Sequence, residues 1–199
     1  MKFQISLLFI LAFFVQQSSC NKNCVETTYN FELPVKAYPD KDTIKVGDTI
    51  WVEINSRTDF LDKSTNKTIN YAGAANLGSA IGFSFRDTVN KKWVDAANDF
   101  KFSLLKGLNT NSSNINLYRE YLFSEEAGYY VFKLGIMPQK KGLYSFLLSN
   151  SNNTYRQNDK CTKANFTIIF RNTNQHYYLS PSYSGQTNLE GGDYYFIVN

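Results

Sequence analysis

Apolar and polar positions alternate along most of this chain, most clearly from Asp42 to Ile54. Ile44 and Val46 alternate with polar neighbours, Gly47-Asp48 supplies a tight turn, and Ile50, Val52 and Ile54 share one face at period two. That stretch reads as strand, turn, strand, a hairpin. Before it, Tyr29, Phe31 and Leu33 alternate in a first strand that Pro34 and Pro39 are expected to keep short or place at an edge. After it, Ser56 to Ala80 is polar and small-residue rich and reads as a long inserted loop with a helical turn. The period-two pattern then returns at Ile81, Phe83 and Phe85, at Phe100, Phe102 and Leu104, and at Ile115, Leu117, Tyr121 and Phe123. It continues at Tyr130, Phe132, Leu134 and Ile136, at Tyr144, Phe146 and Leu148, at Phe166, Ile168 and Phe170, and at Tyr194, Phe196 and Val198. Lys106 to Asn114 and the Asn-rich Ser149 to Lys160 read as loops between strands. About nine strands with turn residues between them predict an all-β, antiparallel sandwich.

Lys141-Gly142-Leu143-Tyr144-Ser145-Phe146 resembles the tyrosine-corner segment of immunoglobulin-like domains, with Phe146 where that family carries Cys. The expected fold is therefore an antiparallel immunoglobulin-like β-sandwich with one long inserted loop. Lys2 followed by the apolar run Ile5 to Val15 has the make-up of a secretory signal, too short to span a bilayer comfortably. The reading is residues 1–19 as signal peptide, 20–26 as tether and 27–199 as one domain. A net charge of +4 with the signs mixed along the chain gives no basic stripe, which argues against nucleic-acid binding.

The three cysteines, Cys20, Cys24 and Cys161, leave one over in an exported protein. Ser18-Ser19-Cys20 resembles the lipobox of bacterial lipoproteins, in which the Cys is lipidated and becomes the first mature residue. Gln17 departs from the aliphatic residue preferred there, a departure that the relaxed lipoboxes of Bacteroidota tolerate. Tyr29 to Pro34 (Y-x-F-E-L-P), Asp42 to Trp51 (D-T-I-x-V-G-D-T-I-W) and a Cys before a late strand complete a resemblance to uncharacterised Bacteroidota cell-envelope lipoproteins. With Cys20 lipidated, Cys24 and Cys161 remain to pair as a disulfide in an oxidising compartment. The resemblance implies an outer-membrane lipoprotein. Asn21-Lys22-Asn23 lacks the acidic residues of surface-displayed members and favours the periplasmic face. Asp42-Thr43-Ile44 and Asp87-Thr88-Val89 resemble O-glycan acceptor triplets of such proteins at Thr43 and Thr88; Thr49, entering a central strand, is the least suited of the three similar positions. Asn66, Asn111, Asn152 and Asn165 head N-x-S/T sequons, which bear on a eukaryotic source alone.

Candidate chemistry is sparse. His176 is the single histidine, so a Ser–His–Asp arrangement would have to use it; its surroundings read as a solvated loop. Glu125-Glu126 is the available carboxylate pair and reads as a charged turn, and Asp40, Asp42 and Asp48 lack EF-hand spacing. No catalytic residue, metal or cofactor is predicted. The better lead is aromatic: Trp51, out of phase with Ile50 and Val52, Trp93 after two lysines, and Tyr177 and Tyr178, with Tyr183 close by, are candidate ligand-binding rings. The expected function is a non-catalytic binding or accessory domain in the periplasm, held to the membrane by its N-terminal lipid and meeting a glycan or an envelope protein. A glycan-binding module of a polysaccharide uptake system is the alternative, and a secreted hydrolase a further one.

Overall fold

The computed structural model describes residues 26–110, 116–183, 185 and 192–199. The signal segment, Cys20, Cys24, Asn111 and Ile115 lie outside them. Alternation sets the long strands, whose inward residues are the apolar set. β1 (Thr27–Tyr38) buries Phe31, Leu33, Val35 and Ala37. β2 (Thr43–Ile44) is short, and β3 (Ile50–Arg57) buries Ile50, Val52 and Ile54. β4 (Asp59–Asp62), β5 (Lys67–Asn70) and β6 (Ala74–Ala75) lead into β7 (Gly78–Asp87). Next come β8 (Lys92–Asp95), β9 (Phe100–Lys106), β10 (Leu108–Asn109), β11 (Tyr118–Leu122) and β12 (Ser124–Glu126). β13 (Tyr129–Pro138), β14 (Gly142–Leu148), β15 (Ser151–Arg156), β16 (Asp159–Phe170) and β17 (Tyr194–Val198) complete the chain. Among the described residues there is no α-helix, only 3-10 turns at Ala97–Asp99 and Tyr177–Leu179.

The all-β expectation holds, and the connectivity differs from it in several ways. One sheet runs β12-β13-β3-β1-β16-β15-β6 with β9 also on β13; the other runs β10-β11-β7-β14-β17-β2 with β8 on β7. The sheets are mixed rather than antiparallel, because β1 lies parallel to β16 and β2 parallel to β17. The expected Asp42–Ile54 hairpin does not form. Its halves belong to different sheets, and the Gly47-Asp48 turn carries the chain between them, with Val46 left 43% exposed. Among the described residues, seventeen strand segments replace the expected nine or so, several of them two to four residues long. Ser56 to Ala80 is no loop: it holds the β4–β5 hairpin, β6 and the start of β7. Likewise β15 occupies the Asn-rich stretch read as a loop, and β10 falls within Lys106 to Asn114. Pro34 does not shorten β1. Along Thr27–Val35 this strand pairs with β16, and it meets β3 only from Lys36 onward, so the proline falls where that side carries no ladder.

Rings from both sheets fill the space between them. Phe100 of one sheet lies 5.1 Å from Phe83 and 5.0 Å from Tyr144 of the other, and Phe132 lies 5.4 Å from Tyr121. Edge-on and tilted contacts of this kind add to area burial. At the start of β7 the close approach of two strands requires glycine: a Cβ on Gly78 would run into the Tyr121 carbonyl oxygen of β11. Gly78→Ala is expected to destabilise the fold by about 2 kcal/mol, the scale of overpacking, as read from the midpoint of a urea titration.

Candidate aromatic binding site

Since Tyr194, Phe196 and Val198 of β17 point into the core, Tyr195 points outward. On the same outer face β14 presents Ser145, opposite Tyr195, and β7 presents Ser84, opposite Ser145. β8 adds Trp93, opposite Arg86. The two small serines leave a shallow trough on the middle strands, across which large side chains meet. The Trp93 and Tyr195 rings come within 5.8 Å at 57°, and Tyr177 packs edge-on to Tyr195 at 6.0 Å. The Arg86 guanidinium lies over the indole at 5.9 Å. The result is a half-buried wall of three rings.

Polar groups line the wall. Asp193 accepts hydrogen bonds from Ser145 Oγ at 3.2 Å and from the Tyr195 hydroxyl at 3.4 Å. Burial raises the Asp193 carboxyl above the ordinary range, against the lowering effect of the Ser145 and Tyr195 hydroxyls. Burial also pushes the Tyr177 hydroxyl up to about 12. The Gln175 side chain donates to the Asp193 carbonyl at 3.2 Å. Tyr177 is shared with an adjoining cavity of about 270 Å³ lined by Thr173, Asn174, Gln175, Tyr177, Tyr178 and Tyr183.

His176 anchors the turn that bears these tyrosines, and it is not the solvated residue its sequence context predicts. It is 3% exposed, in the left-handed region at φ 51°, and packed on Tyr194 at 5.3 Å. Its Nδ1 donates to the Tyr195 carbonyl at 3.1 Å, while Nε2 faces Asp40 Oδ1 at 3.3 Å. The ring nitrogens thus face a carbonyl and a carboxylate rather than a serine hydroxyl. A strained backbone held by such contacts is typical of places where geometry is over-determined. Tyr178, 53% exposed, donates to Asp42 at 2.6 Å.

The remaining predicted positions lie apart from the wall. Trp51 sits on the outer face of the other sheet, seated against Gly135. Glu125 accepts the Gly73 amide and Glu126 pairs with Lys106 at 2.6 Å, so this pair braces strands. Asp48 closes its own turn on the Lys45 amide, and among the described residues no group of three or more His, Cys, Asp or Glu is placed to hold a metal. Thr88 is exposed at the β7–β8 turn that Asp87 caps, whereas Thr43 is half-buried in β2. Thr49 is also half-buried, against Gly135. Cys161 lies in β16. Tyr195, Asp193 and Arg86 went unnoticed in the sequence; the available signal was that Tyr195 is an aromatic out of phase with an inward strand.

No known family model matches the chain, and no curated protein matches it.

Proposed function

We propose that this protein is a non-catalytic binding domain, an immunoglobulin-like sandwich exported to the cell envelope and anchored there through lipid on Cys20, and that it takes a glycan on the Trp93–Tyr195–Tyr177 wall. The observation that carries the reading is the wall itself. Sugar rings dock their C–H faces on aromatic surfaces, and their hydroxyls need nearby amide, hydroxyl and carboxylate partners. Asn174, Gln175, Thr173 and Asp193 supply that chemistry beside the rings. In the uptake setting such a domain retains oligosaccharide at the periplasmic face of the outer membrane.

The register supports the tether. Thr27 lies opposite Thr162 in a parallel pair, so the chain enters alongside Cys161 with Cys24 a few residues upstream. A Cys24–Cys161 bridge would hold the lipid-bearing end to β16. Intact mass of protein extracted from membranes is expected to carry acyl mass at Cys20 and to gain two hydrogens on reduction; an unlipidated chain with free thiols at Cys24 and Cys161 would refute this anchoring.

Binding is tested by intrinsic fluorescence during titration with a panel of neutral oligosaccharides. At least one member is expected to quench emission, and Tyr195→Ala, read by fluorescence, and Trp93→Ala, read by calorimetry because the reporter is gone, to weaken its binding about tenfold or more, ~1.4 kcal/mol. Titrations in which every oligosaccharide leaves emission unchanged, or in which both variants bind as the parent does, would discard the site.

A further inference from the structure

The opposite sheet carries a second arrangement that the proposed site does not use. On its outer face Tyr38 lies opposite Trp51, and Trp51 opposite Gly135. One step along the strands, Lys36 lies opposite Glu53 and Glu53 opposite Lys133. The same register sets Lys101 of β9 opposite Met137, beyond Gly135. The residues between these, Ala37, Val52 and Leu134, are buried, which fixes this as the solvent side.

Gly135 is a costly residue in the middle of a strand that is paired on both sides. Its lack of a side chain lets the indole lie down onto the sheet: a Cβ there would stand 3.0 Å from Trp51 Cζ3 and 3.2 Å from Cη2. The rings are then fixed by polar neighbours. Lys133 Nζ lies 5.5 Å from the Trp51 ring and 5.6 Å from that of Tyr38, and the Tyr38 hydroxyl donates to Glu53 at 2.7 Å. Lys133 also faces Glu53 at 3.9 Å. Lys36 and Lys101 are exposed and make no ion pair among the described residues. Lys133 thus lies by both half-exposed rings, and the register sets Lys36 and Lys101 on the same face further out, three lysines to the one glutamate of these pairs.

We propose that this face is a second binding surface, for an acidic polysaccharide, with Trp51 and Tyr38 stacking on the sugar rings and Lys36, Lys101 and Lys133 meeting its carboxylates. Charge complementarity selects that occupant. A neutral glycan would leave the lysines unused, and a nucleic-acid strand is the rival polyanion that the oligo-dT competition below tests. The inference stands apart from the Trp93 wall.

The chain's two tryptophans make the test direct: 5-fluorotryptophan labelling gives one ¹⁹F resonance each for Trp51 and Trp93, assigned with Trp51→Phe. Oligogalacturonate is expected to shift the Trp51 resonance, and a neutral galactose oligomer of equal length to leave it in place. The joint substitution Lys36→Glu and Lys101→Glu, at exposed positions whose folding is checked by circular dichroism, should weaken the response about tenfold or more. Raising salt from about 0.01 to about 0.15 M, which shortens the Debye length from ~30 to ~8 Å, should weaken it as well. The proposal falls if oligogalacturonate leaves the Trp51 resonance unmoved, if the neutral oligomer moves it equally, if the charge-reversed variant binds as before, or if oligo-dT competes at lower concentration than the uronate. Shifts confined to Trp93 would overturn it while leaving the first site standing.

Discussion

Phe166→Ala is expected to lower the unfolding free energy by about 4 kcal/mol, the largest effect of any single truncation considered. Phe166 is fully buried in β16, where parallel pairing sets it opposite Phe31 of β1. Its ring lies 5.3 Å from Phe31, 5.2 Å from Phe60 and 5.8 Å from Tyr71. These neighbours come from β1, from the β4–β5 hairpin and from the segment after it, so no one element can slide in to fill the hole. Tyr71 is pinned besides, its hydroxyl donating to the Thr154 carbonyl at 2.8 Å. A cavity that cannot collapse adds its own penalty to the lost transfer free energy. Phe166→Leu, keeping most of the volume, is expected to lose about 1.5 kcal/mol or less. Urea unfolding followed by fluorescence reads both, with the slope unchanged if only stability moves. A loss below about 1 kcal/mol for Phe166→Ala would mean that the four rings do not pack as a unit.

What the sequence made legible was whatever depends on one strand at a time. Ile50, Val52 and Ile54, then Tyr130, Phe132, Leu134 and Ile136, then Tyr194, Phe196 and Val198 are all buried on the faces that their alternation marks. Period two says which residues face inward and nothing about which strand lies beside them, or in which direction. The parallel β1–β16 and β2–β17 pairs were therefore invisible, as was the passage of Asp42 to Ile54 between sheets. The β4–β5 hairpin escaped for another reason. Only Phe60 and Asp62 of β4 are buried, and Asn70 helps to hold the hairpin by donating to Asp59 at 2.9 Å and to Thr58 at 3.2 Å. Its cohesion comes from polar turn chemistry, which reads as loop composition.

The candidate site was legible in the same partial way. Trp93, Tyr177 and Tyr178 stood out as aromatics near strand ends, but their partner Tyr195 enters through cross-strand geometry. It reaches Trp93 only because Ser84 and Ser145 leave the middle strands low, and that depends on the order β8-β7-β14-β17. Trp51 was separable from the core by phase alone. The residue that gives it a seat, Gly135, is meaningful only once β13 is known to lie beside β3. Polar neighbours of His176 in sequence imply water, whereas the fold packs its ring on Tyr194, with Nδ1 donating to a carbonyl of β17 and Nε2 facing Asp40.

Asp62→Ala is expected to destabilise the protein by about 3 kcal/mol, with a pH signature that identifies the group. The carboxylate is fully buried at the end of β4. One oxygen accepts the Asn30 amide of β1 at 2.9 Å; the other accepts the Thr65 amide at 2.9 Å and the Thr65 hydroxyl at 2.6 Å. Asp62 thus fastens the hairpin tip to the first strand, with Lys63 donating its amide to the Asn30 carbonyl at 2.9 Å beside it. Burial alone would push this carboxyl up, but the Asn30 amide, the Thr65 hydroxyl and the Ser64 and Thr65 amides outweigh it and hold it below the usual value of 3.8. The unfolded chain therefore takes up this proton at a higher pH than the folded one does. The stabilisation is complete above the ordinary carboxyl range and is lost as pH falls through the lower, folded value. Measured by denaturant titration, the gap between the parent and Asp62→Ala should stay flat from neutral pH to about pH 5 and narrow only below about pH 4. Narrowing between pH 7 and about pH 5 would assign the effect to a group with a higher pKa. Asp62→Asn, which keeps an oxygen for the Asn30 amide but turns an NH₂ toward the Thr65 donors, should recover only the first of these contacts and abolish the acid-range narrowing.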